Sequence, residues 1–384
     1  MISDKRLLRR EPSFRPLAKL ARINWVYVLL ICLLGGVGYG ALYSAGGGAA
    51  RPYALPQTIR FAAGLVMMLG IALISPRILI KLAWPAYGAS ILLLAAVLHS
   101  GHVGKGAERW IVIGGVQLQP SELAKITLVM ALAAWFHHVR WERIGNPLFL
   151  IPPALMVLAP VALVLKEPNL GTAAIIGLVG VSLFAAAGMR LWQMLLLLAP
   201  LPLLGKFLYA HLHDYQKARI ITFLHPLSDR LGAGYNIIQS KIALGSGGVW
   251  GQGYLHGTQG QFNFLPEKQT DFIFTMIAEE FGLVGGISVM ALLLLLILGG
   301  MLMSLRARNQ FGRLLALGIS MNFFLYCAVN LSMVMGAIPV GGVPLPLVSY
   351  GSSAMLTVMV GFGLLLSVYV HRDLRFDEPG HEEN

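Results

Sequence analysis

The run Val289–Leu302 carries no charged side chain and almost nothing but aliphatic residues. It is one of many such runs, and no chain that repeats them can fold around a single water-excluding core. A helix needs roughly 20 apolar residues to cross about 30 Å of hydrocarbon. Backbone groups in lipid must pair within their own segment, so helices are the expected solution. A closed β-barrel would show short alternating strands instead. Composition agrees: 57% of the 384 residues are apolar and 12% are charged, against roughly 45–50% apolar in soluble domains. The expected fold class is an all-α polytopic membrane protein.

The apolar periods give about ten transmembrane helices, at roughly 25–44, 59–76, 82–99, 122–138, 147–165, 170–188, 191–210, 284–304, 314–335 and 350–370. Basic residues set the orientation. Lys5, Arg6, Arg9, Arg10, Arg15, Lys19 and Arg22 hold the N-terminal tail in the cytoplasm. Alternation then places 17 of the 29 Lys and Arg residues on that side, and an even number of spans returns the C-terminus there. The expected layout is a cytoplasmic basic tail at 1–22, one transmembrane domain at 23–370 and a cytoplasmic acidic tail at 371–384. External loops fall at about 100–121, 211–283 and 336–349, the largest between helices 7 and 8.

Several function classes drop out. Cys32 and Cys327 both lie in apolar runs and form no CxxC, which argues against a disulfide framework or a thiolate metal site. No HExxH occurs, and His211, His213 and Asp214 read as interfacial. The first helix is expected to remain as an anchor, since no small-residue cleavage site follows it. The net charge of +12 flanks membrane segments, so it reads as orientation charge and attraction to anionic lipid; no nucleic acid is expected.

Against the positive-inside trend, Arg109, Lys166, Lys217, Arg219, Arg230, Lys241 and Lys268 sit in or beside external loops. An anionic partner on the outer face accounts for them; so does the indifference of long loops to charge. The stretch Phe264–Phe274 ends the longest loop and opens an apolar helix, placing Glu267, Lys268 and Asp271 where water meets membrane. Ionisable groups near hydrocarbon are costly and mark function by default.

These residues resemble a known family. Arg109-Trp110 and Gln119–Lys125, Pro168–Ala173, Gly232–Asn236 with Gln239-Ser240, and Leu265-Pro266-Glu267 with Thr270–Phe274 are similar to SEDS proteins (shape, elongation, division and sporulation). So are Glu279–Gly282, Pro339–Pro346 and Ser349–Ser352. Gly257-Thr258-Gln259 followed by Phe264–Glu267 resembles the elongation branch. The pattern departs at Glu167, Asn169, Gly341 and Ser352. The resemblance implies a peptidoglycan glycosyltransferase of the bacterial cytoplasmic (inner) membrane. It would polymerise lipid II, an undecaprenyl-pyrophosphate disaccharide-peptide, during elongation and cell-shape maintenance. The implied partners are a class B penicillin-binding protein transpeptidase and other membrane proteins of the elongation complex.

That chemistry needs a base for a sugar 4-hydroxyl and cations for departing phosphates. Asp271 is the candidate catalytic carboxylate, as base or as holder of a divalent ion such as Mg2+; no cofactor is otherwise implied. Thr270 or Asp271 could equally cap the following helix. Glu122 and Lys125, three apart, read as a charged cavity wall or as a structural ion pair. Arg109, Lys217 and Arg219 are candidate pyrophosphate contacts or headgroup anchors, and Trp110 a sugar-stacking or interfacial ring. Glu267 and Lys268 complete the candidate substrate-binding set. Glu279 and Glu280 read as structural or partner-facing, with Gly282, Gly285 and Gly286 bending the chain beyond them. Pro339, Pro344 and Pro346 mark a rigid, irregular segment beside the groove or a connector. A lipid II flippase is the rival reading, disfavoured because the polar residues cluster at the outer face rather than at the midplane.

Overall fold

The computed structural model describes residues 16–100, 102–104, 107–113, 116–139, 146–167, 169–199, 214–225, 233–262 and 264–374, with only the backbone described for a few of these, Arg109 and Arg219 among them. It is a helical bundle. A short α1 (Pro16–Ala21) leads into α2 (Trp25–Ala45), α3 (Ala54–Ala72) and α4 (Pro76–Ser100). After the first external loop come α5 (Pro120–His137), α6 (Pro147–Lys166), α7 (Leu170–Ala186) and α8 (Leu191–Leu198). The long loop holds α9 (Asp214–Leu224), α10 (Ala233–Ser246) and α11 (Thr258–Gln261). The chain ends with α12 (Ile273–Arg306), α13 (Gln310–Val334) and α14 (Ser352–Val370).

Among the described residues seven helices are long and apolar enough to cross a membrane: α2, α3, α4, α6, α12, α13 and α14. The α7 helix is shorter and equally apolar. Helix α5 carries Glu122 and Lys125 and is nearly all buried; it packs against α4, α13 and α7. The expected seventh span begins as α8, and the rest of 191–210 lies outside the described residues. The chain is a multi-pass membrane protein. Helices α13 and α14 join α5 among its inner members, while α3, α4 and α6 turn most of their surface outward.

The first external loop contains something the apolar pattern did not suggest, a small antiparallel sheet. Strand β1 (His102–Gly104) pairs with β2 (Ala107–Ile113), and β2 with β3 (Val116–Leu118), Ile111 opposite Leu118 and Ile113 opposite Val116. Five of its thirteen residues are β-branched and its strands are separated in sequence by glycine-containing pairs, the composition of a short hairpin.

Helix α12 is broken at Gly282, whose φ of 66° and ψ of −161° are not helical and belong to a region only glycine occupies comfortably. In an unbroken helix the N–H groups of Leu283 and Val284 would bond to the carbonyls of Glu279 and Glu280. Here the loop takes both sides. Gln252 and Gly253 donate to the carbonyls of Glu279 and Glu280 at 3.0 Å, and Leu283 and Val284 donate to Gly248 and Val249 at 2.9 and 3.2 Å. The fit demands a bare backbone at Gly251, where a Cβ would stand 2.1 Å from the Glu280 carbonyl oxygen. The loop is also tied to the end of α2: Tyr254 donates to the Gly40 carbonyl at 3.0 Å, and Ser44 donates a very short hydrogen bond to Glu280.

Candidate functional site

Asp271 sits just before the first half of α12. Phe272 occupies the cap position of that helix, and its own side chain makes no capping hydrogen bond. Thr270 and Asp271 thus stand before the cap position rather than in it. The preceding turn is closed by Glu267 at a positive φ of 60°. The Glu267 carbonyl accepts from the Thr270 N–H at 3.0 Å, and its carboxylate accepts from the Thr270 hydroxyl at 2.9 Å. Buried Phe272, Ile273 and Phe274 anchor the turn from below, which leaves the partly buried Asp271 at the surface of the bundle.

A second irregular segment, 337–351, lies against the first. It contains the three prolines and is non-helical throughout, at the end of α13. Irregular backbone at this depth is tolerated only against protein or a wet cavity, and here it is bound to the Asp271 turn. The Tyr350 N–H donates to Gln269 at 2.8 Å and the Ser349 hydroxyl to Thr270 at 2.6 Å. Asn330, fully buried on α13, joins both segments by donating to the carbonyls of Asp271 at 2.9 Å and Val343 at 2.7 Å. A Cβ at Gly342 would stand 3.8 Å from Asp271 Oδ2, so the carboxylate rests against bare backbone. Helix α3 holds the far side: Gln57 donates to Ser349 at 2.7 Å and accepts from the Gly351 N–H at 3.4 Å.

Glu122 and Lys125 are buried together. Lys125 donates to Glu122 at 2.8 Å, and Tyr326 of α13 closes the triangle with short hydrogen bonds to both. Tyr326 and Asn330 are four residues apart on α13, so this cluster lies about one turn, roughly 6 Å, beneath the Asn330 anchor. Lys268 turns aside to donate to the Gly260 carbonyl at 2.7 Å, and burial pulls its ammonium below the ordinary lysine range. Lys217 is partly buried on α9 and Trp110 partly buried on β2. The expectations for the side chains of Arg109 and Arg219, and for His211 and His213, lie outside the described residues.

Glu279 and Glu280 are structural. The Glu279 carboxylate accepts from the N–H groups of Gln259 at 2.8 Å and Gly260 at 3.3 Å and from the Thr258 hydroxyl at 3.2 Å, capping α11. Asn169 is likewise a cap, accepting from the Thr172 N–H at 3.3 Å at the start of α7. Among the described residues no group of three His, Cys, Asp or Glu side chains is placed to hold a metal ion. Gln57, Arg60 and Asn330 went unread in the sequence, because each looks like an isolated polar residue in an apolar run.

The family model for FtsW, RodA and SpoVE cell cycle proteins matches residues 25–374. The peptidoglycan glycosyltransferase MrdB of Escherichia coli is 43% identical over 328 residues, 82% of this chain and 85% of that one. MrdB of Helicobacter pylori is 36% identical over 328 residues, 83% of each. Among solved structures, a chain of a peptidoglycan synthase complex, described for its coordination of polymerisation and crosslinking, superposes with a TM-score of 0.80 at 33% identity, covering 92% of this chain and 99% of that one. The rod shape determining protein RodA of Thermus thermophilus gives 0.68 at 28% identity, covering 92% and 98%. A match of this extent, running through every part of the site just described, makes this chain a member of the FtsW/RodA/SpoVE family, the SEDS proteins.

Proposed function

We infer that this chain is a peptidoglycan glycosyltransferase of the bacterial cytoplasmic membrane, polymerising lipid II into glycan strands during elongation. The observation that carries this reading is the 43% identity to a named peptidoglycan glycosyltransferase over 82% of the chain. The site suits the reaction. A sugar 4-hydroxyl attacks the anomeric carbon of a second lipid-linked sugar, and its proton passes to Asp271. The new glycosidic bond forms as the bond to pyrophosphate breaks, the lipid pyrophosphate leaves with the electron pair, and the anomeric centre inverts. Glu267 and Thr270 hold the turn, and Asn330 fixes the Asp271 backbone, so the base is positioned before substrate arrives.

A divalent cation fits this donor set poorly as a resident ion. Asp271 would supply one carboxylate, and phosphate oxygens of the substrate would have to complete the shell, an arrangement Mg2+ accepts. The likeness to a chain of a peptidoglycan synthase complex that coordinates polymerisation and crosslinking supports a crosslinking partner, which we take to be a class B penicillin-binding protein.

The test uses purified chain with that partner and lipid II in detergent, with polymer read on a gel. Asp271→Ala and Asp271→Asn are each expected to reduce polymer by at least about 100-fold, the scale of a lost general base, without loss of folded protein. Retained polymer removes Asp271 from the mechanism. Wild-type protein that makes none while moving lipid II between leaflets of a liposome would establish the flippase instead.

A further inference from the structure

Arg60 lies on the stripe of α3 that faces the inner helix α14. Gln57, one turn before it, grips Ser349 and Gly351, and Gly64, one turn after it, is close enough to Met359 that a Cβ would stand 2.9 Å from its Cγ. The Arg60 guanidinium lies over the Tyr350 ring, 5.0 Å from its centre. Its Nη1 is shut off from solvent and has no hydrogen-bond partner. No carboxylate among the described residues pairs with it.

This is an unusual state for a guanidinium, which carries five donors and no acceptor. The face of Tyr350 stabilises the charge without accepting those N–H groups as an oxygen would. Two residues past Tyr350, α14 begins with no side-chain cap, and the bare N–H groups of a helix start add positive potential instead of cancelling it. Six residues from Ala54, Arg60 is only about 9 Å along the axis from the outer end of α3. Tyr350 is itself fastened to Gln269, two residues before Asp271. The unsatisfied cation therefore belongs to the same junction as the candidate base.

We propose that Arg60 binds the phosphate oxygens of a lipid-linked pyrophosphate, holding the leaving group of the donor sugar. The proposal rests on the glycosyltransferase reading and deepens it. A guanidinium matches two phosphate oxygens through parallel hydrogen bonds, and as the sugar–oxygen bond breaks it neutralises the charge arriving on the pyrophosphate. An anionic phospholipid headgroup offers related phosphate chemistry, so the test separates the two.

Binding of geranylgeranyl pyrophosphate, geranylgeraniol and phosphatidylglycerol is measured on the purified chain in neutral detergent, alongside kcat and KM for lipid II. The wild type is expected to prefer the pyrophosphate over the alcohol, with no competition from phosphatidylglycerol. Arg60→Gln should lose that preference by about tenfold or more and raise KM, and Arg60→Lys, which keeps the charge without the fork, should lose part of it. Tyr350→Leu, which removes only the ring, should keep most of the preference. Unchanged pyrophosphate preference in Arg60→Gln overturns the proposal, as does phosphatidylglycerol competing equally. If Arg60→Gln does not fold, Arg60→Lys decides: wild-type preference and KM in that variant count against the fork. A wild type that polymerises lipid II while Arg60→Gln binds normally refutes Arg60 alone. A wild type that neither polymerises nor separates pyrophosphate from alcohol refutes the underlying reading with it.

Discussion

Asn330 does with one amide what no charged residue of the site does: it donates to the backbone carbonyls of both irregular segments at once. Replacing it with Leu strands two buried carbonyls, at roughly 1–3 kcal/mol each. Asn330→Leu is therefore expected to melt several degrees lower in detergent and to polymerise poorly even at temperatures where it is folded. The Glu122–Lys125–Tyr326 cluster makes a different prediction. Removing one ion leaves the other buried and unpaired, at about 3–5 kcal/mol. Lys125→Met alone should destabilise far more than Glu122→Gln with Lys125→Met together, and a double-mutant cycle on melting curves reads the coupling. The pH dependence above neutrality has two opposing parts. Lys268 is held below its ordinary range by burial, so its buried charge costs stability at neutral pH, and that cost fades as pH rises toward the ordinary lysine value of 10.5. Tyr254 is held above its ordinary range, chiefly by desolvation and next by Glu280. It contributes stability below pH 10 that is lost as pH climbs through its raised value. Relative to Lys268→Met, the wild type should gain stability between neutral and alkaline pH; relative to Tyr254→Phe it should lose stability above pH 10. Melting curves across that range test both signs.

At the scale of elements, the break in α12 is the feature most open to challenge. Gly282→Ala forces a side chain into a glycine conformation at about 1–3 kcal/mol and drives its Cβ to 2.4 Å from the Gly251 N. Melting temperature and polymer yield should both fall, and more than for Gly36→Ala, where a Cβ meets nothing within 4 Å. The bend at Gly282 was readable from the sequence because glycine clusters mark places where a helix gives way. The apolar helices were readable from run length, and the Glu122–Lys125 pair from its spacing of three. The three-stranded sheet was not, since short strands in a loop carry little periodic signal beside membrane runs. Arg60 was not, because its partner Tyr350 stands 290 positions away and nothing local shows that they meet. In the sequence Glu279 reads as structural or partner-facing; its actual duty, capping the four-residue helix Thr258–Gln261, depends on a loop that returns from elsewhere.

At the scale of the whole molecule, charge and burial together assign a sidedness that labelling can check. Trp250, 80% exposed, lies in the long loop expected outside, and Arg308 lies between α12 and α13 on the side expected inside. In a chain with Cys32 and Cys327 replaced, a cysteine placed at 250 should react with a membrane-impermeant maleimide in intact spheroplasts, and one placed at 308 only after lysis. The reverse result would invert the bundle and put Asp271 on the wrong face for glycan synthesis.

The exchange of hydrogen bonds around Gly282 has a mechanical outcome. Four bonds join residues 248–253 to the two sides of the break, and parting them would strand their donors and acceptors, so the loop is a splint rather than a flap. Whatever docks on its outer surface and shifts it carries the segment from Ile273 to Phe281 along, with Asp271 riding at the tip of that lever arm.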